Sequence, residues 1–135
     1  MLKKARIVYF CPPILLMVFI FILSSIPGEI EYTGMKFIMS IDPALQNLLH
    51  IPLYGLLSYL WFRALKMIGL SIFFLIIVGI LLTSFYGFLD EIHQTFVIGR
   101  YGSFFDLVLD FVGAVCGAFI YCFNSGDKVR NLFKN

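Results

Sequence analysis

The sequence predicts an all-α integral membrane protein, a single domain of residues 1–135 built as a bundle of four transmembrane helices. Hydrophobic residues make up 61% of the chain and charged residues only 13%, whereas a soluble domain carries about 25% charged residues. Four apolar stretches each have close to the ~20 residues that a helix needs to cross a bilayer. The basic residues are concentrated in the segments that fall on one side of such a bundle.

The first two helices are predicted over residues 7–26 and 45–65, joined by a long outer loop at 27–44. Basic residues precede the first helix, as in a signal peptide, but the apolar run is longer than usual for one and no A-x-A site follows it. We therefore expect an uncleaved helix. Pro12 and Pro13 lie inside this stretch, so the regular helix either starts or kinks there.

The last two helices are predicted over residues 69–89 and 104–123. The fourth helix is preceded by Ser103, and Ser103 with Asp106 has the S-x-x-D form of a helix start. Asp106 can therefore be a helix-terminal residue that complements the positive end of the helix dipole. The alternative is that Asp106 belongs to a functional site.

The placement of lysine and arginine predicts the orientation, because cytoplasmic segments are enriched in basic residues. With four helices, the basic groups before the first helix, between the second and third, and after the fourth share one side. Both termini are therefore expected to be cytoplasmic. The basic residues of that side are Lys3, Lys4, Arg6, Arg63, Lys66, Lys128, Arg130 and Lys134. Most acidic residues fall on the outer side, where we expect the polar site.

The outer end of the second predicted helix carries a histidine and a tyrosine. His50 and Tyr54 are one turn apart and share a helix face. A histidine within a span is costly and should face the protein interior. It can form an interhelical hydrogen bond, or it can donate and accept protons in a reaction.

The third helix ends in the polar residues Asp90, Glu91 and Gln94, and Arg100 follows in the next loop. The two adjacent carboxylates, with the imidazole of His93 and the amide of Gln94 in the same stretch, suit acid–base chemistry or metal binding. Since HxxxH and HExxH are both absent, no metal ligand is assigned and the cofactor stays unknown. Arg100 either pairs with these acids or binds an anionic group of a ligand.

Asp110 lies one turn inside the fourth helix, at a depth where an unpaired charged carboxylate would cost several kcal/mol. It must therefore be protonated, paired or in a wet cavity. Gly113 and Gly117 continue the same face. This spacing predicts a small-xxx-small surface that brings another helix close.

Three segments together resemble the VanZ-like family of small bacterial membrane proteins. They are LSSIPG at 23–28, HIPLYGLLSYL at 50–60 and YGFLDEIHQTFVIGRYGSFFDLVLDFVGAVCG at 86–117. The family pattern has a helix containing His, a D-E-x-x-Q stretch, a loop Arg and a helix that begins with Asp. In this chain those positions are His50, Asp90, Glu91, Gln94, Arg100 and Asp106. The chain departs from the family at Gln46 and Asn47, where Asp-Lys is frequent, and at Asp110, where Asn is frequent.

The resemblance implies a multi-pass protein of the bacterial plasma membrane that acts in the cell envelope. The family is named for a protein associated with low-level resistance to teicoplanin. One hypothesis is an enzyme that acts on an amphiphilic lipid-linked cell-wall precursor or lipoglycopeptide at the outer membrane surface. Its expected catalytic residues are His50, Asp90, Glu91 and Asp106, and its expected substrate-binding residues are Tyr54, Gln94, Arg100 and Asp110.

Two other hypotheses remain at this point. One is a non-catalytic protein that binds a lipid or a glycopeptide antibiotic, and the other is a structural bundle held together by its polar residues. Membrane lipids are the expected partners, and the glycine face of the fourth helix permits a homo-oligomer. Nucleic acid is not expected, since the net charge is only +2 and no basic patch stands out. The cysteines lie in apolar runs without a metal-binding spacing.

Overall fold

A computed structural model describes residues 7–28 and 47–132 of the chain, with side chains up to residue 125. The described chain contains four long helices and no strand: α1 (Cys11–Ser24), α2 (His50–Lys66), α3 (Ile72–Gln94) and α4 (Phe104–Leu132). The predicted all-α fold is confirmed for these residues. Most of the predicted outer loop lies outside the described residues.

Helix α1 is shorter than predicted. It begins at Cys11 with proline in its first turn, a position that proline tolerates because the first amides of a helix have no intrahelical partner. The prolines therefore start the helix and do not kink it. Its 14 residues cover about 21 Å at 1.5 Å per residue, less than the ~30 Å of a bilayer's hydrocarbon core.

Helices α3 and α4 are longer than predicted, since α3 continues to Gln94 and α4 to Leu132. The predicted ends, at 89 and 123, were placed where apolar residues give way to polar ones. The polar residues at the end of α3 continue the helix because several of them are buried against other helices. Among the described residues, Ile72–Gln94 and Phe104–Ser125 are the two helical segments that are long and apolar enough to cross a membrane.

The most extensive helix contact in the described chain joins α2 to α4. A Cβ added to Gly113 would lie 2.5 Å from the Ile51 carbonyl oxygen, and one added to Gly117 would overlap Ser58 and the Gly55 carbonyl. Glycine at these positions lets the two backbones approach closely. The predicted small-residue packing surface of α4 is therefore confirmed, and the helix that it contacts is α2.

The interior of the bundle contains polar residues beside apolar ones such as Phe62 and Leu57, and many large apolar side chains lie on its outer surface. Ser58, Thr83 and Asp110 are 0% exposed, whereas Phe85 is 61% exposed and Phe119 is 72% exposed. So many exposed large apolar side chains, together with fully buried polar ones, are unusual for a soluble protein and suit a surrounding lipid phase. The predicted orientation depends largely on terminal lysines and arginines beyond the described side chains, so it stays a prediction.

Candidate functional site

A cleft of about 80 Å³ lies at one end of the bundle, between α1, α2, α3 and the loop that leads to α4. This space can hold several water molecules. Its lining combines polar residues with the apolar side chains of Ile20, Leu23 and Leu53. Five of the eight predicted site residues line it: His50, Tyr54, Asp90, Gln94 and Arg100.

The other three predicted site residues, Glu91, Asp106 and Asp110, are buried. His50 connects Asp110 to the cleft, because its Nδ1 lies 2.7 Å from Asp110 Oδ1. The carboxylate is fully buried, while 20% of the imidazole is exposed. Asp110 is therefore paired, which was one of the three states expected for a carboxylate at this depth.

The orientation of the His50 ring is fixed from two sides. Asp110 holds Nδ1, and the ring stacks on Tyr54 with centroids 5.9 Å apart and planes inclined by 4°. When Nδ1 carries the proton and donates it to Asp110, Nε2 of a neutral imidazole is an acceptor. The arrangement can therefore present a base to the cleft.

Asp90 is held by hydrogen bonds on both carboxylate oxygens. The Ser24 hydroxyl donates to Oδ1 at 2.6 Å, and the Gln94 amide, one turn along α3, donates to Oδ2 at 3.1 Å. Ser24 was not among the predicted site residues. Ser24 belongs to the LSSIPG segment, which carries part of the family resemblance. The sequence alone does not show that its hydroxyl contacts Asp90 on α3.

A second serine of the same segment also joins α1 to α3. Ser25 Oγ lies 2.9 Å from His93 Nε2, and the His93 ring packs on Phe21 with centroids 4.4 Å apart. The Tyr86 hydroxyl donates to the Met17 carbonyl at 2.5 Å. The wall of the cleft formed by α1 is therefore attached through side chains of α3.

Replacing Ser24 with alanine should reduce stability. The change removes the donor to a buried carboxylate oxygen, and a buried acceptor left without its partner costs about 1–3 kcal/mol. Thermal and denaturant unfolding in detergent measure this loss. Ser84→Ala is the matched control, since the Ser84 hydroxyl makes no hydrogen bond within the described residues. Equal destabilisation by both changes would contradict the role given to Ser24.

Glu91 and Asp106 both hydrogen-bond to Ser103 at the start of α4. The Ser103 amide donates to Glu91 Oε2 at 2.6 Å, and the Ser103 hydroxyl accepts from the Asp106 amide at 3.3 Å. Ser103 therefore caps α4, and Asp106 lies in its first turn. Glu91 Oε1 and Asp106 Oδ1 are buried and have no hydrogen-bond donor within the described chain.

Arg100 does not pair with an acid in the described part of the protein, where His50–Asp110 is the one ion pair within 4.0 Å. Its Nε donates instead to the Ile26 carbonyl at 3.2 Å. The Gly28 amide also donates to the Ile98 carbonyl oxygen at 3.0 Å. The residues after α1 and the loop before α4 are thus joined, and the guanidinium lines the cleft.

The burial of Glu91 and Asp110 beside His50 also creates a possible metal site, although the sequence assigned no metal ligand. One ligand atom from each of these three residues lies within 4.8 Å of the other two. The three residues belong to α3, α4 and α2 respectively. Sequence spacing alone does not reveal this set, since its members are separated by about 20 to 60 positions in the chain.

Comparison with known protein families supports the resemblance seen in the motifs. The model of the family described as VanZ/LLP1 matches residues 9–125. This range contains all eight predicted site residues and all the residues that line the cleft. No curated protein and no solved structure matches the chain.

Proposed function

Because the chain belongs to the VanZ/LLP1 family, we propose that it is a membrane-embedded enzyme of the bacterial cell envelope. Its substrate would be an amphiphilic molecule, either a lipid-linked cell-wall precursor or a lipoglycopeptide, whose polar group enters the cleft at the outer membrane surface. The alternative is a non-catalytic protein that binds a lipid or a teicoplanin-like glycopeptide.

The helix ends support a four-span arrangement in the plasma membrane. Ser24 ends α1, His50 begins α2, Gln94 ends α3, and Asp106 lies in the first turn of α4. In an up-down-up-down bundle these four ends lie on the same side. Arg63 and Lys66 lie at the opposite end of α2, which supports a cleft on the outer side, because cytoplasmic segments are enriched in basic residues.

The observation that carries the enzymatic proposal is the oriented His50. A general base needs a basic atom at the site and a partner that fixes the tautomer, and Asp110 at 2.7 Å is such a partner. The apolar wall of the cleft suits the first part of a lipid chain. Arg100 suits a phosphate or carboxylate of the headgroup, because a guanidinium binds both through paired hydrogen bonds.

Of the two adjacent carboxylates on α3, Glu91 suits a chemical role better than Asp90. Both oxygens of Asp90 accept hydrogen bonds from side chains, whereas Glu91 keeps one oxygen without a donor in the described chain. Asp90 would then shape the cleft by holding Ser24 and Gln94. The hydrogen bonds of Asp90 also fit the binding alternative, because a non-catalytic protein needs only a cleft of fixed shape and Arg100 to hold its ligand.

The test compares cells that express the native protein with cells that express His50→Asn, by envelope lipidomics and teicoplanin susceptibility, with membrane levels checked by blot. Asparagine keeps an amide that can donate to Asp110 and removes the base. We expect the native protein to change one lipid or precursor, and His50→Asn to reduce this turnover by about 10²–10⁴-fold, the usual contribution of general acid–base catalysis.

His93→Gln is the matched control, since His93 lies on the same bundle and binds Ser25 outside the cleft lining. It should retain turnover. Full turnover by His50→Asn would contradict the enzymatic proposal. If susceptibility changes while every lipid and precursor stays constant, and Arg100→Ala removes the change, the protein is a binding protein.

A further inference from the structure

We propose that His50, Glu91 and Asp110 form a binding site for a divalent transition-metal ion, with Zn²⁺ and Mn²⁺ as the best-matched ions. This inference deepens the proposed function, because it places a metal at the same polar site. Binding of the ion is nevertheless measured without any substrate, so it can be tested separately.

The first support is the convergence of suitable donor atoms from three helices. One ligand atom each from His50, Glu91 and Asp110 lies within 4.8 Å of the other two. Ligands bound to one ion at about 2.0–2.2 Å are at most about 4.4 Å from one another. Small side-chain shifts therefore suffice to bring all three atoms onto one ion.

The second support is a pair of buried oxygen atoms without donors. Asp110 is 0% exposed and Glu91 is 7% exposed, and Asp110 Oδ2 and Glu91 Oε1 have no hydrogen-bond partner among the described residues. A buried polar atom without a partner costs free energy. A cation between the two carboxylates would supply the missing interaction for both.

The negative charge of the buried carboxylates also favours a bound cation. Asp106, which shares the hydrogen-bond partner Ser103 with Glu91, adds a third buried carboxylate with an unpartnered oxygen. The described acids have no arginine or lysine within 4.0 Å. Three ionised carboxylates carry more negative charge than one imidazolium can offset, so these acids must either share protons or bind a cation. A divalent ion offsets two of the negative charges.

The ligand atoms, one imidazole nitrogen and carboxylate oxygens, determine which metal ions fit the site best. Imidazole nitrogen favours zinc and other transition metals, while an all-oxygen site would favour magnesium or calcium. Water could complete the coordination from the cleft side, since His50 borders both the cleft and the acids. In the ion-bound form His50 is a ligand, and a metal-bound water would then take over the role of base.

The experiment measures bound metal in detergent-purified protein after it is loaded with Zn²⁺ or Mn²⁺ and desalted. Elemental analysis should give about one ion per chain, and electron paramagnetic resonance should show immobilised Mn²⁺. Glu91→Gln and Asp110→Asn keep the side-chain shape and remove the charge. Each should weaken binding by more than the ~10–100-fold that is typical for loss of a residue outside the ligand set.

Two matched controls distinguish ligands from neighbours. Asp90→Asn removes a buried carboxylate whose oxygens already have donors, and His93→Gln removes a histidine that binds Ser25. Both should keep the ion. Circular dichroism and gel filtration establish that each variant is folded. The proposal is overturned if the native protein retains no ion, or if Asp90→Asn loses it as completely as Glu91→Gln.

The two proposals fail in different ways. Bound metal with no effect of the protein on any envelope molecule would leave the metal site standing and remove the enzymatic function. If turnover requires His50 but continues in chelator and in protein without metal, the enzymatic proposal is supported and the metal-site proposal is wrong.

Discussion

Gly117→Leu is expected to prevent the assembly of a stable bundle. A Cβ at this position would overlap the Ser58 hydroxyl and lie against the Gly55 carbonyl of α2. The carbonyl belongs to a helix backbone and cannot move aside as a side chain can. Overpacking of a core costs about 1–3 kcal/mol when side chains adjust, and we expect at least the upper end of this range here.

Replacing glycine also raises the helix propensity, which partly offsets the loss of stability from overpacking. This gain is smaller, because glycine is less favourable than alanine by only about 1 kcal/mol in a helix interior. Gel filtration and thermal unfolding in detergent measure the net effect. Cys116→Leu is the control, because Cys116 is the preceding residue and its side chain is exposed. A Gly117→Leu protein as stable as Cys116→Leu would show that α2 and α4 do not pack as described.

His50→Leu should also be strongly destabilising, for an electrostatic reason. The change leaves Asp110 fully buried without the imidazole that lies 2.7 Å away. Loss of the donor to a buried carboxylate costs more than the ~1–3 kcal/mol typical of a neutral buried acceptor, because the remaining charge has no partner. Denaturant unfolding with chelator present measures the cost without a contribution from bound metal.

The double variant His50→Leu/Asp110→Leu should recover most of the lost stability. Replacing both members of a buried pair with apolar residues of similar size is often neutral or stabilising. The coupling between the two changes is the difference between the double variant and the sum of the single ones. A coupling near zero would mean that the two side chains do not interact in the folded protein.

Features that depend on neighbouring turns of one helix could be predicted from the sequence. The shared face of His50 and Tyr54 and the packing surface at Gly113 and Gly117 follow from the periodicity of an α-helix. Both are present in the structure, where the first appears as ring stacking and the second as close backbone contact. The resemblance to the VanZ-like family, made from motifs, is likewise supported by the family match.

Features that depend on how helices cross could not be predicted in this way. Asp110 was expected to be paired, protonated or hydrated, and only the crossing of α2 and α4 identifies His50 as its partner. Arg100 was expected to meet either an acid or a ligand, yet its Nε binds the Ile26 carbonyl. Every residue has a backbone carbonyl, so the sequence does not indicate which one a side chain will bind. This contact could therefore not be predicted.

The close contact between α2 and α4 has a consequence for biosynthesis. The chain emerges from the ribosome in order, so α2 and α3 are complete before α4 exists. Until then Gly55, Ser58 and His50 lack the surface that they pack against, and no part of the polar site that involves Asp110 can form. The final helix therefore completes both the packing and the cluster of polar side chains, and a chain truncated before α4 should be a substrate for membrane quality-control proteases.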